Sequence, residues 1–361
     1  MHCYQSLQDP DQAVVKQQLK NLLADDRSGI LEDLRQEADE VRRRWVGEAV
    51  HIRGIIEFSN YCLRSCRYCG LNRSNEQLHR YRIPPNEIVE TAREAVAAGI
   101  KTIVLQSGDD FFYTREVIAE MVREIKKTGM AVTLAVGERP GEDYRAWREA
   151  GADRYLLKFE TSDSGLYSRL HPGTSLDNRL KCLRDLRALG YQVGSGFMIG
   201  LPGQTTDILA GDLMLMRSLQ LEMAGVGPFI PHPATPLGRE PAGGVPLTLK
   251  VLALSRLMLP WAHLPATTAL SSLEKDGRRL GLTGGANVLM PNITPPEYRQ
   301  FYEIYPHKAE AADSPRDLYQ ATLEIIYELG RFVGQDQGHC LSPTELTAKE
   351  ESIYDSNQLY K

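Results

Sequence analysis

The chain has 361 residues, 42% of them apolar and 25% charged, with a formal net charge of -5. That is enough apolar matter for one large core or two ordinary ones, and the acidic balance argues against a nucleic-acid or anionic-lipid partner. The N-terminal stretch MHCYQSLQDPDQAVVKQQLK shows no signal-peptide pattern, and no segment reaches the roughly 18 uninterrupted apolar residues of a membrane span, so a cytoplasmic protein with reduced thiols is expected.

In chain order, residues 12–46 carry helix-like spacing with many charges and read as a helical preface. A repeated alternation follows. The β-branched runs VHIRGIIEFS, TIVLQSG, AVTLAVG, RYLLKFET, QVGSGFMIG, AGVGPFIP, LPATTAL and ANVLMP are each trailed by a helical segment. The helices are expected over 85–98, 115–127, 142–150, 175–189, 205–220 and 247–259, with a short seventh near 275–280 and an eighth beginning near Pro296. Glycines in AAGIKT, KTGMAV, EAGADR and ALGYQV fit left-handed helix caps that lead straight into strands. Strands separated by helices pair in parallel, and eight such units closing on themselves make a (β/α)8 TIM-type barrel. An open doubly wound sheet is the rival, but its glycine-rich phosphate loop after the first strand is missing. The expected organisation is an N-terminal helical extension (1–49), the barrel (50–334) and a short, loose polar tail (335–361).

Three of the six cysteines, Cys62, Cys66 and Cys69, fall in FSNYCLRSCRYCGLN, just after the first strand. A parallel barrel carries its chemistry on the loops at the C-terminal strand ends, so this loop lies on the functional face. Two centres compete for C-x3-C-x2-C. A structural zinc wants a fourth protein ligand, and His79 is the nearest candidate, at a spacing that fits no zinc pattern. A 4Fe-4S cluster takes thiolates, and with three of them one iron keeps an open position for another molecule. Cys3, Cys182 and Cys340 stand alone and read as packing or surface thiols.

With an aromatic residue before its last cysteine (Tyr68-Cys69), this loop resembles the signature of the radical S-adenosylmethionine (SAM) superfamily. The resemblance implies that the methionine end of SAM chelates the open iron, and that an electron from the cluster splits its S–C bond to give a 5'-deoxyadenosyl radical. It further implies a SAM pocket built from Tyr68, from Gln106, Ser107 and Gly108 in QSGDD, from Glu160 in KFET, from Arg179, and from Ile199 in GFMIGLPGQT. Deeper in the barrel, Thr133, Lys158, Met223, Thr267 and Thr268 lie on strands or strand ends, and LPATTAL is unusually polar for a TIM-barrel interior. Threonine hydroxyls beside a cation make an anion site; packed aliphatic layers are the alternative.

RGIIEFSNYCLRSCRYCGLNRSN, GADRYLLKFET, MIGLPGQT, GPFIPHPATPL, LPATTAL and GANVLMPN are similar to the HydE family of FeFe-hydrogenase maturases. That resemblance implies a radical enzyme acting on a small organometallic or anionic substrate, a cysteine-bound iron carbonyl cyanide unit made by HydG and passed on towards HydF. It implies reduced flavodoxin or ferredoxin as electron donor. It assigns Thr133, Arg154, Met223, Thr267, Thr268, Tyr302 and Tyr305 to the substrate cavity. Two departures stand out. YPHKAEAADSPRD lacks the cysteines that many relatives carry there for a second cluster, so one cluster is expected. KFET replaces the frequent RHET, so Lys158 keeps the charge and loses the planar fork of arginine. The alternatives are an enzyme resembling methylornithine synthase (PylB) or biotin synthase, and a non-catalytic iron–sulfur carrier.

Overall fold

A computed structural model describes residues 3–306, 308 and 315–341. Its strands are β1 (Ala49–Ser59), β2 (Thr102–Ser107), β3 (Ala131–Ala135), β4 (Arg154–Leu156), β5 (Gln192–Ser195), β6 (Met198–Ile199), β7 (Met223–Ala224), β8 (Gly227–Pro228), β9 (Val288–Leu289) and β10 (Phe332–Val333). The ladders β1–β2, β2–β3, β3–β4, β4–β5 and β5–β7 are all parallel. Single bridges carry the ring on, from Met223 to His263 and from Pro265 to Val288. β9 then pairs with β1 (His51 with Val288, Ile52 with Leu289) and closes a barrel of eight positions. The (β/α)8 expectation is met.

The seventh position differs from its expectation. LPATTAL reads as a strand, but the chain there makes only isolated bridges. Pro265 has no N–H to give a ladder, and Thr267 turns the chain into the helix Thr268–Leu273 by accepting from the Leu270 N–H at 3.4 Å. The seventh helical stretch is split between Thr268–Leu273 and Gly277–Leu282. The one begun near Pro296 has four residues, and the last barrel helix is Pro315–Glu328. The short helix Ser164–Leu170 and β10 were not anticipated.

Strand side chains alternate between two destinations. From β1 to β4, Ile52, Ile56, Ile103, Leu105, Val132, Leu134 and Tyr155 are buried in the core cluster. Each fully buried aliphatic chain there contributes about 1.5–3 kcal/mol of transfer free energy. Arg53, Ile55, Glu57, Val104, Gln106, Thr133 and Leu156 instead line a central cavity. The glycines after four helices, Gly99, Gly129, Gly151 and Gly190, all take positive φ, as their phrases imply. The N-terminal extension packs onto the barrel: Gln12–Ala24 lies on Thr206–Ser218, and Ile30–Val46 on the almost wholly buried helix Val245–Met258.

The C-terminal segment corrects an expectation. Residues 335–341 form a plug under the barrel. Gln337 O accepts from Arg154 Nη2 (2.6 Å) and Thr102 Oγ1 (2.9 Å), and Gly338 O accepts from Arg53 Nη2 (3.2 Å). Gln192 exchanges two hydrogen bonds with the Cys340 backbone. Its polarity serves guanidinium groups at the barrel base, which composition alone does not reveal. The rest of the expected tail, 342–361, lies outside the described residues.

Candidate functional site

The cysteine loop leaves the C-terminal end of β1 and is held by its own backbone. Arg80 donates to four carbonyls, those of Asn60, Leu71, Asn72 and Asn75. Asn72 Nδ2 donates to Cys69 O (2.7 Å), and Gly70 N to Ile304 O (3.0 Å). The loop also grips its neighbours, with Leu63 N donating to Asp109 O (3.1 Å) and Arg67 N to Leu170 O (2.9 Å). Gly108 stands so close that a Cβ there would lie 2.3 Å from Tyr61 O and 2.7 Å from Cys62 Cβ, which only glycine permits.

Burial pushes all three thiols up, Cys69 to about 12; each also feels neighbouring thiolates or, for Cys62, the Asp109 carboxylate. A metal that takes them must displace protons. The backbone N–H groups of Arg64 and Asp109 both point at Cys62 Sγ (3.4 Å each), the kind of contact that tunes a thiolate-held cluster. Among the described residues no three His, Cys, Asp or Glu side chains converge as one metal ion needs. Thiols spread around a loop suit a polynuclear group in which each takes its own iron. His79 packs on the Phe301 ring, 4.3 Å between centroids, rather than completing a zinc site. The residues fit a 4Fe-4S cluster.

An ionic frame that sequence reasoning missed stands beside the loop. Arg64 pairs with Asp109 (2.5 Å) and Glu138 (3.3 Å), and Glu138 also pairs with Arg179 (2.6 Å) and accepts from Asn178 Nδ2 (3.0 Å). Arg179 is therefore engaged through Nε, and through Nη1 with Lys158 O. Glu160 takes a left-handed backbone with φ of 66°, rare for a residue with a side chain, held by its N–H to Gly196 O (3.0 Å) and by Met198 N–H to its own carbonyl (3.2 Å). Such a conformation persists where the surroundings over-determine it, often at a functional site. It turns the carboxylate into the cavity mouth, where Lys158 Nζ lies 3.0 Å away.

Below lies the cavity, about 390 Å³. It opens past Tyr68 and Cys69, runs down by Glu160, Lys158 and Thr133, and ends among Arg53, His263 and Met223. Gln106, Thr267, Thr268 and Tyr305 also line it. Tyr68 is fixed by His171, 3.0 Å from hydroxyl to Nε2; burial raises the phenol and lowers the imidazole to about 4. Arg53 has Met223 Sδ as one partner at 2.6 Å, and its Nε has no hydrogen-bond partner among the described residues.

Several expected residues lie elsewhere. Arg154 is wholly buried beneath the floor, bonded to Gln192, Thr102, Gln337 and His339. Tyr302 sits behind the wall and takes a hydrogen bond from Gln106 Nε2 (3.3 Å). Ser107 donates to Gly108 O, and Ile199 is buried in β6; with Gly108, Cys62, Cys66 and Arg179 they surround the mouth rather than line the cavity. Unanticipated lining residues are Arg53, Glu57, His263, Asn292 and Lys308. Glu57 pairs with Lys308 and accepts from Asn292 Nδ2 (2.7 Å). The alternation of Arg53, Ile55 and Glu57 along β1 carried the signal for two of them.

Residues 56–213 match the radical SAM superfamily. The chain is 52% identical over 320 residues to the [FeFe] hydrogenase maturase subunit HydE of Thermotoga maritima, covering 89% of this chain and 92% of that one. It is 32% identical over 274 residues to 3-methylornithine synthase of Methanosarcina acetivorans, covering 75% and 77%. The crystal structure of methylornithine synthase (PylB) superposes with a TM-score of 0.80 at 29% identity, over 88% of this chain and 94% of that one. The SAM-cluster chemistry that the loop geometry fits is thus matched by the superfamily and by the maturase relative: this chain is a radical SAM enzyme that uses a 4Fe-4S cluster and S-adenosylmethionine, and it belongs to the HydE family.

Proposed function

We propose that this enzyme acts in assembly of the diiron subcluster of FeFe-hydrogenase, on a cysteine-bound iron carbonyl cyanide unit, with HydG supplying the substrate and HydF downstream. One observation carries the reading: the cavity below the cysteine loop sets a few cations and hydroxyls, Arg53, Lys158, Thr133, Thr267 and Thr268, into a largely apolar lining. Isolated cations and hydroxyls in an otherwise apolar cavity suit a small anionic complex whose carboxylate and cyanide groups take the polar contacts while its carbonyls meet the apolar walls.

When bound, the cluster and SAM supply reductive cleavage of the sulfonium S–C bond and hence a 5'-deoxyadenosyl radical. The chain's own residues do the rest. Cys62, Cys66 and Cys69 would hold one cluster. Gln106, Ser107 and Gly108 would offer backbone to the methionine amino group, Arg179 would face its carboxylate, Glu160 would grip the ribose, and Ile199 with Tyr68 would wall the adenine side. Lys158 sits near the cavity mouth, paired with Glu160 and lining the cavity. The floor plug excludes water from below.

The test is anaerobic incubation of the loaded enzyme with SAM, reductant and the HydG product, followed by electron paramagnetic resonance. A new low-spin iron signal that requires SAM is expected. Conversion of an amino acid to 3-methylornithine, with no iron signal, would overturn the substrate assignment.

A further inference from the structure

The large apolar side chains exposed among the described residues include three that lie together beside the cysteine loop: Leu63 (61%), Phe111 (45%) and Phe112 (62%). Leu63 follows Cys62 directly, and its N–H is bonded to Asp109 O, two residues before Phe111. Val14, Leu273, Tyr327 and Phe332 are exposed on other elements. An exposed apolar cluster with a charged border is the mark of a protein-binding surface.

The patch is held in place by stacked guanidinium groups. Arg82 lies 3.8 Å over the Tyr61 ring and 4.3 Å over the Phe112 ring, and Arg139 lies 4.2 Å over Phe111. Aromatic anchors fixed before binding lose little entropy on docking. The border is mainly basic. Residues 62–82 contain five arginines, at 64, 67, 73, 80 and 82, against the single acid Glu76, in a chain whose net charge is -5. The acids that pair with this region lie underneath: in the Arg82–Asp110 pair the arginine side chain is 32% exposed and the aspartate 4%. Arg67 and Arg73 are exposed, and Arg73 is tied to the patch by its N–H to Arg64 O (2.8 Å).

We propose that this surface docks an acidic one-electron carrier protein, which reduces the cluster through the Leu63–Cys62 side of the loop. The proposal rests on the reading of the loop as a cluster site. One electron leaves the reduced carrier, which is oxidised by one, and enters the cluster, which is reduced by one; no bond forms or breaks. Acidic carriers meet the arginines, and the Leu63, Phe111 and Phe112 side chains supply the desolvated centre.

The probe is flavodoxin, with ferredoxin in a parallel arm, titrated into the cluster-loaded enzyme. Phe112→Glu and, separately, Arg73→Glu are expected to weaken the carrier Kd about tenfold and to slow carrier-driven cluster reduction to match, while dithionite-driven reduction stays within about twofold. Carrier binding to the unaltered enzyme is expected to weaken between about 50 and 500 mM salt. The proposal is overturned if Kd is unchanged in both variants, or if the dithionite rate falls as far as the carrier rate. It is also overturned if the substitutions weaken a partner maturase and leave both carriers untouched. Should Phe112→Glu misfold, Arg73→Glu on an exposed side chain decides the matter alone. Failure of the unaltered, dithionite-reduced enzyme to cleave SAM would count against the functional reading, while the Kd comparison still judges the surface.

Discussion

Thr133 is a single hydroxyl with a defined problem. Its Oγ1 is buried on β3, faces the cavity and has no hydrogen-bond partner among the described residues. An unpaired buried hydroxyl costs free energy in the empty protein, and a bound acceptor recovers it. Thr133→Val is therefore expected to leave thermal stability unchanged or slightly raised, and to raise KM for the proposed iron substrate about tenfold. The opposite pattern, lower stability with KM unchanged, would make Thr133 a packing residue. Thr267 gives a poorer test because it also caps the helix Thr268–Leu273, so its loss costs folding as well. At this scale the sequence was legible where chemistry is written in side-chain spacing. C-x3-C-x2-C marks the cluster loop without any fold. Arg80 left no such mark, since it works on backbone carbonyls that every residue carries. Arg154 was assigned to the cavity, but a strand residue's depth along the barrel is not visible in its spacing, and Arg154 lies one layer too low.

Among the elements, the floor plug has the largest consequence. Arg53 and Arg154 are buried cations at the barrel base, and each sends a guanidinium N–H to a carbonyl of residues 335–341. Truncation after Gly334 removes those acceptors and opens the base to water. Truncation after Leu341 keeps every one of these contacts. The first shortened protein is expected to lose about 3–5 kcal/mol of stability, as befits buried charges left without partners. The second serves as the control for that segment, with both compared by urea unfolding. Equal loss in the two would show that the plug contacts carry no stability. The barrel strands and their helices were legible because alternation and capping glycines are local. The seventh strand and the plug were not: the first is broken by Pro265, and the second is built from polar residues whose partners lie far along the chain.

For the whole molecule, buried titrating groups set how stability responds to acid. His51 and His171 are both pushed down to about 4, chiefly by burial, and burial also lowers His263, His232 and His339. In the unfolded chain these imidazoles bind protons near pH 6.5, while in the folded protein His51 and His171 refuse them until about pH 4 and the other three take them only below their ordinary range. Their contribution is therefore full above pH 6.5 and is lost as pH falls towards 4. Asp212 has the opposite sign. Burial raises it from 3.8 to about 6, so the folded state takes its proton first and gains relative stability as pH falls through that window. Several histidines outweigh one carboxylic acid, and the net expectation is a falling melting temperature from pH 7 to pH 4. For His171 alone the loss is about 2–3 kcal/mol across the window. His171→Gln keeps a hydrogen-bonding group for Tyr68 and does not titrate there, so its melting temperature is expected to fall less steeply with acid than that of the unaltered protein. Parallel curves for the two proteins would mean that His171 is protonated in the folded state at its ordinary pKa, contrary to its burial.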